Sequence, residues 1–266
     1  MATYLDGIVR FHRERVAADT RDLAALIETA RVQPTPRGFR DALTAGEHVA
    51  VISEIKRRSP SKGALNEHLD AAAVAMAYES GGAAALSVLT DARYFGGSTE
   101  DLIVARAAVT VPVIRKDFTL GPADVCDARI MGADAVLLIV AALSDEELTL
   151  LHGLALELGL DVLVETHDES EVARALGSTE ADLIGVNQRD LVTFAVDTDR
   201  AVRVAASIPD TVVRVAESGV SGRAQAMTLA AAGYDAVLVG EHLVTSGDHG
   251  EAVAALSVPR GRVPAR

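Results

Sequence analysis

The sequence predicts an α/β protein built as a (β/α)8 TIM barrel with an N-terminal extension of two helices. From residue 49 onward, short β-branched apolar runs alternate with longer amphipathic stretches, as parallel strands joined by crossover helices require. Eight such units follow one another at intervals of roughly 20 to 35 residues, the length of one strand and its helix. An open doubly wound sheet fits less well, because no glycine-rich dinucleotide turn follows the first strand.

The eight predicted strands are nearly uniformly apolar, so both faces of each strand should be buried. They are expected at residues 49–55, 84–89, 112–115, 135–140, 161–165, 183–187, 212–216 and 236–239. Three strands follow related segments, Gly81-Gly82-Ala83-Ala84, Gly132-Ala133-Asp134-Ala135 and Gly233-Tyr234-Asp235-Ala236. Glycine suits the left-handed turn that ends a helix, so we interpret this repeat as structural.

Residues 1–48 lie outside the repeat. They predict helices at residues 4–17 and 19–30, with Asp19 or Thr20 as a possible cap, and then the turn-rich segment Gln33-Pro34-Thr35-Pro36. We expect this extension to cover the barrel at residues 49–258, followed by a flexible tail at residues 259–266, in a single domain overall.

Composition limits the partners of the chain. The net charge of -13 should repel nucleic acid and anionic membrane, so any phosphate should belong to a small molecule held at a local site. The longest apolar run, residues 133–143, contains Asp134 and is too short to span a bilayer. A lone Cys126 and an N-terminus without an apolar signal stretch predict a cytoplasmic protein, which we expect to be a monomer or a weak homodimer.

Lysine is used sparingly. Only Lys56, Lys62 and Lys116 occur, and every other basic side chain except histidine is arginine. Burial and neighbouring charges can tune an ammonium until it releases a proton, whereas arginine stays protonated. We therefore expect chemistry at the two lysines that follow apolar runs, Lys56 and Lys116, although drift in composition toward arginine is the alternative.

Polar side chains follow the predicted strands, at the end where barrels of this kind place their active sites. They are Glu54, Lys56, Ser59 and Pro60 after the first strand, Lys116 and Phe118 after the third, Glu165 after the fifth, Asn187 and Arg189 after the sixth, Glu217, Ser218 and Gly219 after the seventh, and Gly240 after the eighth. Each alone could cap a helix or meet solvent. Together they predict one ring of charges at one end of the barrel, because charges are costly inside a core.

The pairs Ser218-Gly219 and Gly240-Glu241 suggest a phosphate site, since glycine lets backbone N–H groups approach an anion; ordinary turn chemistry is the alternative. Arg189 could bind a carboxylate or a phosphate. Phe95 and Phe118 could flank a flat ring, with core packing as the rival interpretation.

Other catalytic classes are not indicated. The sequence has no Cys pair, no His-x-x-x-His and no tight carboxylate cluster at metal spacing, so we predict no metal. His167 is the one histidine near the predicted mouth, where a capping or surface role is favoured. No Gly-x-Ser-x-Gly or Walker sequence is present, which argues against serine hydrolases and nucleotide kinases.

Several ordered motifs between about residue 3 and residue 256 carry a family resemblance. They are Val51-Ile52-Ser53-Glu54-Ile55-Lys56-Arg57-Arg58-Ser59-Pro60-Ser61-Lys62-Gly63, Leu86-Ser87-Val88-Leu89-Thr90-Asp91, Tyr94-Phe95-Gly96-Gly97-Ser98, Arg115-Lys116-Asp117-Phe118, Gly132-Ala133-Asp134-Ala135-Val136-Leu137-Leu138-Ile139, Leu163-Val164-Glu165, Gly185-Val186-Asn187-Gln188-Arg189-Asp190-Leu191 and Ala216-Glu217-Ser218-Gly219-Val220. With them the sequence resembles the indole-3-glycerol phosphate synthase family.

The resemblance implies conversion of 1-(2-carboxyphenylamino)-1-deoxyribulose 5-phosphate into indole-3-glycerol phosphate, carbon dioxide and water, in tryptophan biosynthesis and without metal or organic cofactor. It implies that Lys116 is the general acid of ring closure. It places Glu165 in the dehydration, with Glu54, Lys56 and Asn187 around it.

The resemblance also implies substrate contacts. Those near the anthranilate end are Phe95, Phe118, Arg189 and Leu191; those at the phosphate are Lys56, Ser59, Gly219 and Gly240; Glu217 and Ser218 line the cavity, and Pro60 and Leu238 are further expected contacts. Glu241 departs from the family, where several relatives carry a small hydroxyl residue. A carboxylate there would repel a phosphate unless its side chain points away.

Three alternatives stay open at this point. Phosphoribosylanthranilate isomerase and a Schiff-base aldolase that uses Lys116 or Lys56 are other sugar-phosphate enzymes on such a barrel, and borohydride trapping would reveal the aldolase. A non-catalytic paralogue could retain only the phosphate site. Loss of Lys116 or Glu165 would have favoured that paralogue, and both are present.

Overall fold

The described part of the N-terminal extension contains three helices. The structure is a computed structural model, which describes residues 4–59, 62–190 and 192–261. The helices are α1 (Tyr4–Ala17), α2 (Leu23–Arg31) and α3 (Phe39–Thr44), where two were predicted. The cap of α2 is Asp22, which accepts hydrogen bonds from two backbone N–H groups, rather than Asp19 or Thr20. Asp19 instead binds Arg21, and the six residues of α3 are too few for a clear helical period.

Eight parallel strands close into a barrel, which confirms the predicted fold class. The ten strands of the described chain are β1 (Ala50–Ile55), β2 (Arg58–Ser59), β3 (Gly63–Ala64), β4 (Ala85–Leu89), β5 (Val113–Lys116), β6 (Ala135–Ile139), β7 (Asp161–Thr166), β8 (Leu183–Asn187), β9 (Val213–Glu217) and β10 (Ala236–Val239). The barrel order is β1-β10-β9-β8-β7-β6-β5-β4, and β1 pairs with β4 to close it. The short antiparallel pair β2 and β3 was not predicted.

Every predicted barrel strand is present, with ends shifted by at most one residue. The shift at β5 has a clear cause. Pro112 has no N–H to donate to the ladder, so β5 begins at Val113, although the Pro112 carbonyl still accepts a bond of 2.9 Å from Leu86.

Helices surround the barrel. They are α4 (Ala71–Ser80), α5 (Ala92–Phe95), α6 (Thr99–Ala108), α7 (Pro122–Ile130), α8 (Asp145–Glu157), α9 (Glu169–Ser178), α10 (Arg200–Val204), α11 (Arg223–Ala231), α12 (Glu241–Val244) and α13 (His249–Leu256). The glycines of the repeat have the left-handed backbone expected of them, with φ of 92° at Gly82, 89° at Gly132 and 87° at Gly233. Among the described residues, no helix has both the length and the apolarity needed to cross a membrane.

The repeated aspartates connect neighbouring strands at the N-terminal end of the barrel. Asp134 accepts a hydrogen bond of 2.8 Å from the backbone N–H of Val113, and Asp235 accepts one of 2.9 Å from that of Arg214. Both aspartates are fully buried. Asp134 also binds the Arg37 backbone and the Arg106 guanidinium, so one carboxylate joins the extension to the barrel. The repeat is therefore structural.

Ion pairs and hydrogen bonds attach the chain ends to the barrel. On α1, Arg13 lies 2.6 Å from Glu147 and Arg15 lies 2.6 Å from Asp124. Pro259 pairs with His48, so this residue of the predicted tail contacts the segment before β1. Residues 262–266 lie outside the described residues.

We expect Asp134→Ala to lower the free energy of unfolding by about 3 kcal/mol or more, because it leaves buried N–H groups and a guanidinium without their acceptor. Urea unfolding measures the loss. The matched control is Asp182→Ala, an aspartate that also directly precedes a strand but whose side chain is 59% exposed and pairs with Arg40. It should cost less than about 1 kcal/mol. Equal losses in the two variants would contradict the proposed role of Asp134.

Candidate active site

A cavity of about 1070 Å³ opens at the C-terminal end of the barrel strands. Of the predicted site residues, those that line it are Glu54, Lys56, Ser59, Phe95, Lys116, Phe118, Glu165, Asn187, Arg189, Glu217, Ser218, Gly219, Leu238 and Gly240. The other two, Pro60 and Leu191, lie outside the described residues. The barrel thus brings together side chains that are far apart in the sequence.

Lys116, the last residue of β5, lies at the centre of this group. Its Nζ atom is 2.8 Å from Glu165 Oε2 and 3.2 Å from Glu217 Oε2. Burial alone would lower the pKa of the ammonium, but the surrounding carboxylates outweigh burial and hold the pKa above the ordinary lysine value. Lys116 is therefore a charged ammonium within the cavity.

Glu165 on β7 is held as a carboxylate. Burial alone would raise its pKa, but the charge of Lys116 outweighs burial and the pKa lies below the ordinary value. Asn187 donates a hydrogen bond of 3.0 Å from Nδ2 to Glu165 Oε1. The amide is oriented in turn by the Arg189 backbone N–H, which donates to Asn187 Oδ1 at 3.0 Å. An ionised, positioned carboxylate suits the removal of a proton.

Glu217 on β9 has the opposite character. Burial and the charges of Glu165 and Glu54 outweigh the attraction of Lys116 and raise the pKa of Glu217 to about 8. Its carboxyl group is therefore mostly protonated at neutral pH. Three carboxyl groups around one ammonium do not all stay ionised, and Glu217 is the one that takes the proton.

Gly185, inside β8, makes room for Glu217, and it was not singled out as a site residue. A Cβ atom at this position would lie 2.2 Å from Glu217 Oε1, so any larger residue would displace the carboxyl group. The sequence did contain a signal. A glycine within an apolar strand marks a place where another group approaches the backbone closely.

Glu54 and Lys56 form a second acid-base pair. The Lys56 ammonium lies 2.5 Å from Glu54 Oε1. A Cβ atom at Gly240 would lie 2.3 Å from the same oxygen and 3.0 Å from Lys56 Nζ. A larger residue at position 240 would therefore have to displace this pair, whatever the backbone of Gly240 contributes to phosphate binding.

The turn after β9 has an unusual backbone. Ser218 and Gly219 both have positive φ, 64° and 76°, and Gln188 donates a bond of 2.7 Å to the Ser218 carbonyl. A Cβ atom at Gly219 would lie 2.6 Å from Val196 Cγ1. A non-glycine residue in the left-handed region is strained and is found disproportionately at binding sites.

The extension was expected to cover the barrel, but the residues that form two walls of the cavity were not named from the sequence. Tyr4 and Ile8 of α1 line one wall, and Phe194 and Val196 of the loop after β8 line another. The rings of Tyr4 and Phe194 pack edge to face with centroids 4.9 Å apart. The extension therefore covers the cavity, and no local pattern in the sequence relates Tyr4 to Phe194.

Glu241, which departs from the family pattern, pairs with Lys62 at 3.4 Å. Both side chains are largely exposed, 57% for Lys62 and 41% for Glu241. The ammonium partly offsets the negative charge at this edge of the cavity.

His12, Asp91 and Asp117 form a buried group whose possible ligand atoms lie within 4.8 Å of one another. His12 Nε2 already lies 2.8 Å from Asp91, and Asp117 binds the Arg115 guanidinium at 2.9 Å. A cation would have to compete with that guanidinium, so we interpret the group as a bond between α1 and the barrel. That the protein needs no metal stays a prediction.

A closed barrel with ionisable side chains buried at the C-terminal ends of its strands is typical of a (β/α)8-barrel enzyme. Residues 5–256 match the family model described as indole-3-glycerol phosphate synthase. The chain belongs to the indole-3-glycerol phosphate synthase family.

Individual relatives agree with this assignment. The chain is 50% identical to indole-3-glycerol phosphate synthase of Mycobacteroides abscessus over 96% of this chain and 93% of the relative. It is 49% identical to that of Parafrankia sp. over 98% and 96%. Among solved structures it resembles thiamine phosphate pyrophosphorylase from Pyrococcus furiosus, with a TM-score of 0.59 and 17% identity over 78% of this chain and 93% of that chain. The last likeness shows the fold alone.

We expect Glu217→Gln to change how stability depends on pH. Because the pKa of Glu217 is raised from 4.5 to about 8 on folding, the folded protein binds more protons between these values, and stability falls as pH rises through them. Relative to the variant, the parent should lose about 1 kcal/mol per pH unit between about pH 5.5 and 7.5 in urea unfolding. The exposed control Glu169→Gln should keep the parental slope. Parallel slopes for parent and Glu217→Gln would show that Glu217 is ionised.

Proposed function

We propose that the protein catalyses the conversion of 1-(2-carboxyphenylamino)-1-deoxyribulose 5-phosphate into indole-3-glycerol phosphate, carbon dioxide and water, the step that closes the indole ring of tryptophan. Membership of the indole-3-glycerol phosphate synthase family supports this reaction. The observation that carries it is the buried Lys116 ammonium, 2.8 Å from the Glu165 carboxylate within one cavity.

Ring closure requires an acid. The ring carbon that bears the carboxylate attacks the ketone, and negative charge develops on the ketone oxygen. An ammonium at that oxygen neutralises the charge and supplies the proton, which lowers the barrier. We assign this role to Lys116.

Dehydration requires a base and an acid. After carbon dioxide leaves, one group removes a proton and another protonates the departing hydroxyl. We assign Glu165 to this step, because it is ionised and held by Asn187. The Glu54 and Lys56 pair is a further acid-base couple in the same cavity.

The remaining residues would hold the substrate. Arg189, Phe95 and Phe118 suit the charged aromatic end, because they offer a guanidinium and apolar rings. The residues proposed for the phosphate end are Lys56, Ser59, Gly219 and Gly240, with Ser218, Glu217 and Leu238 lining the cavity beside them. Contacts by Pro60 and Leu191 stay predictions. We also propose that the protein works in the cytoplasm, as a monomer or a weak homodimer.

We expect Lys116→Met to reduce kcat by about 10² to 10⁴, because the proton donor of ring closure is removed. Indole fluorescence measured with the synthetic substrate in metal-free buffer follows product formation. Lys116→Arg is the matched variant: it keeps the positive charge but donates a proton poorly, so it should also be slow. A folded parent that forms no product would refute the proposed reaction. Covalent trapping by borohydride would instead indicate an aldolase.

We expect Glu241→Ser to lower KM by up to about tenfold with kcat nearly unchanged, because it removes a carboxylate from the phosphate end and weakens no catalytic contact. Steady-state kinetics at low ionic strength measures the effect, and added salt should reduce it. An unchanged KM at low salt would mean that Glu241 does not face the phosphate.

A further inference from the structure

The proposed reaction removes the charge of Lys116 while Glu165 is still needed as a base. When Lys116 gives its proton to the ketone oxygen, the ammonium becomes a neutral amine. Glu165 is only 1% exposed, and a buried carboxylate without a counter-charge takes up a proton. A protonated Glu165 could not remove a proton in the dehydration. A second positive charge near Glu165 would keep its carboxylate ionised after Lys116 has lost its proton.

His167, two residues after Glu165, is placed to provide that charge. Its Nε2 atom lies 3.8 Å from Glu165 Oε1, and its Nδ1 atom lies 3.0 Å from Glu171 Oε2. The His167 backbone N–H also donates to Glu171 Oε2, at 2.8 Å. The backbone bond positions the Glu171 carboxylate, and the bond between that carboxylate and Nδ1 orients the ring. His167 is not among the described residues that line the cavity, so it reaches the reaction only through Glu165.

The charges around His167 favour the imidazolium form. Glu165 faces it from β7, Glu171 and Asp168 face it from the first turn of α9 and its cap, and Arg200 faces it from α10. Burial lowers the pKa of His167, but the hydrogen bond to Glu171 and the charge of Glu165 outweigh burial and the repulsion from Arg200, so the pKa is raised. A bond from Nδ1–H to Glu171 leaves Nε2 directed at a carboxylate, and only a protonated Nε2 is attracted there.

We propose that His167, held as an imidazolium by Glu171, is a positioning residue that keeps Glu165 ionised while Lys116 is deprotonated. No proton needs to move through His167 for this role. The distance of 3.8 Å between His167 Nε2 and Glu165 Oε1 is an ion-pair distance. The inference rests on the proposed function, because it requires Lys116 to act as the acid and Glu165 as the base.

The test is the pH dependence of kcat for the parent, His167→Gln, Glu171→Gln and the control Glu169→Gln. In the parent, kcat should fall as pH rises through the raised pKa of His167, above the ordinary imidazole value of about 6.5. His167→Gln should not show this decrease of kcat at high pH, which we call the alkaline limb. At pH values below the limb, the kcat of the variant should be about tenfold lower than that of the parent, since one pKa unit at Glu165 corresponds to a factor of ten. Its KM should stay within about twofold of the parental value. Glu171→Gln should shift the alkaline limb of kcat to lower pH. At pH values below that limb, its kcat should equal that of the parent.

The control Glu169→Gln removes an exposed carboxylate from the same turn of α9 and should leave the limb where the parent has it. NMR titration of the His167 ring without substrate should show the same downward shift of its pKa in Glu171→Gln. A His167→Gln variant with parental kcat and limb would overturn the inference. The inference would also be overturned if His167→Gln lost the same fraction of kcat at every pH and kept the alkaline limb, because that result indicates a structural role. An inactive, folded parent would instead refute the proposed function, and the inference with it.

Discussion

A buried lysine surrounded by carboxyl groups is the interaction on which the arrangement of the cavity depends. Lys116 contacts Glu165 and Glu217, and Glu54 adds to the field around it. With Lys56 the cluster has two ammonium groups and three carboxyl groups. The raised pKa of Glu217 favours its protonated form, which lowers the number of negative charges around Lys116. Charges interact strongly in the low dielectric of a buried site. The pKa values of Lys116, Glu165 and Glu217 therefore depend on one another.

The barrel explains why these four side chains meet. Around the closed sheet, Glu54, Lys116, Glu165 and Glu217 belong to β1, β5, β7 and β9, which are alternate strands. Alternate strands of such a barrel contribute the four side chains of one interior layer. Interior layers of such barrels usually consist of apolar side chains. In this protein the layer at the C-terminal ends of the strands consists of ionisable side chains. Gly185 in β8 and Gly240 directly after β10 carry no side chain, which leaves space for the carboxyl groups of Glu217 and Glu54.

Stability and chemistry are placed at opposite ends of the barrel. At the N-terminal end, Asp134 and Asp235 accept hydrogen bonds from backbone N–H groups near the starts of neighbouring strands. At the other end, α1 lies over the cavity and is held by bonds such as the one between His12 and Asp91. Because α1 carries both cavity residues and anchoring residues, the extension is part of the site as well as of the fold.

The sequence by itself determined the eight strands and most of the site. Uniformly apolar runs at a regular interval require strands buried on both faces, and polar residues directly after such runs must leave the core at one end. That is why Lys116, Glu165 and Asn187 could be named from their positions alone. The family resemblance added their expected roles, which stay predictions, as do the contacts of Pro60 and Leu191.

Only the tertiary structure decided which groups touch. The ring of His167 lies near Glu165 because Glu171 holds it there, and a sequence pattern reports that pair only as a possible helix cap. The packing of Tyr4 on Phe194, and the need for glycine at position 185, depend on atoms from distant parts of the chain. Local sequence determines which face of an element is apolar, whereas contacts between loops and the pKa values they produce depend on distances that exist only after the barrel has closed.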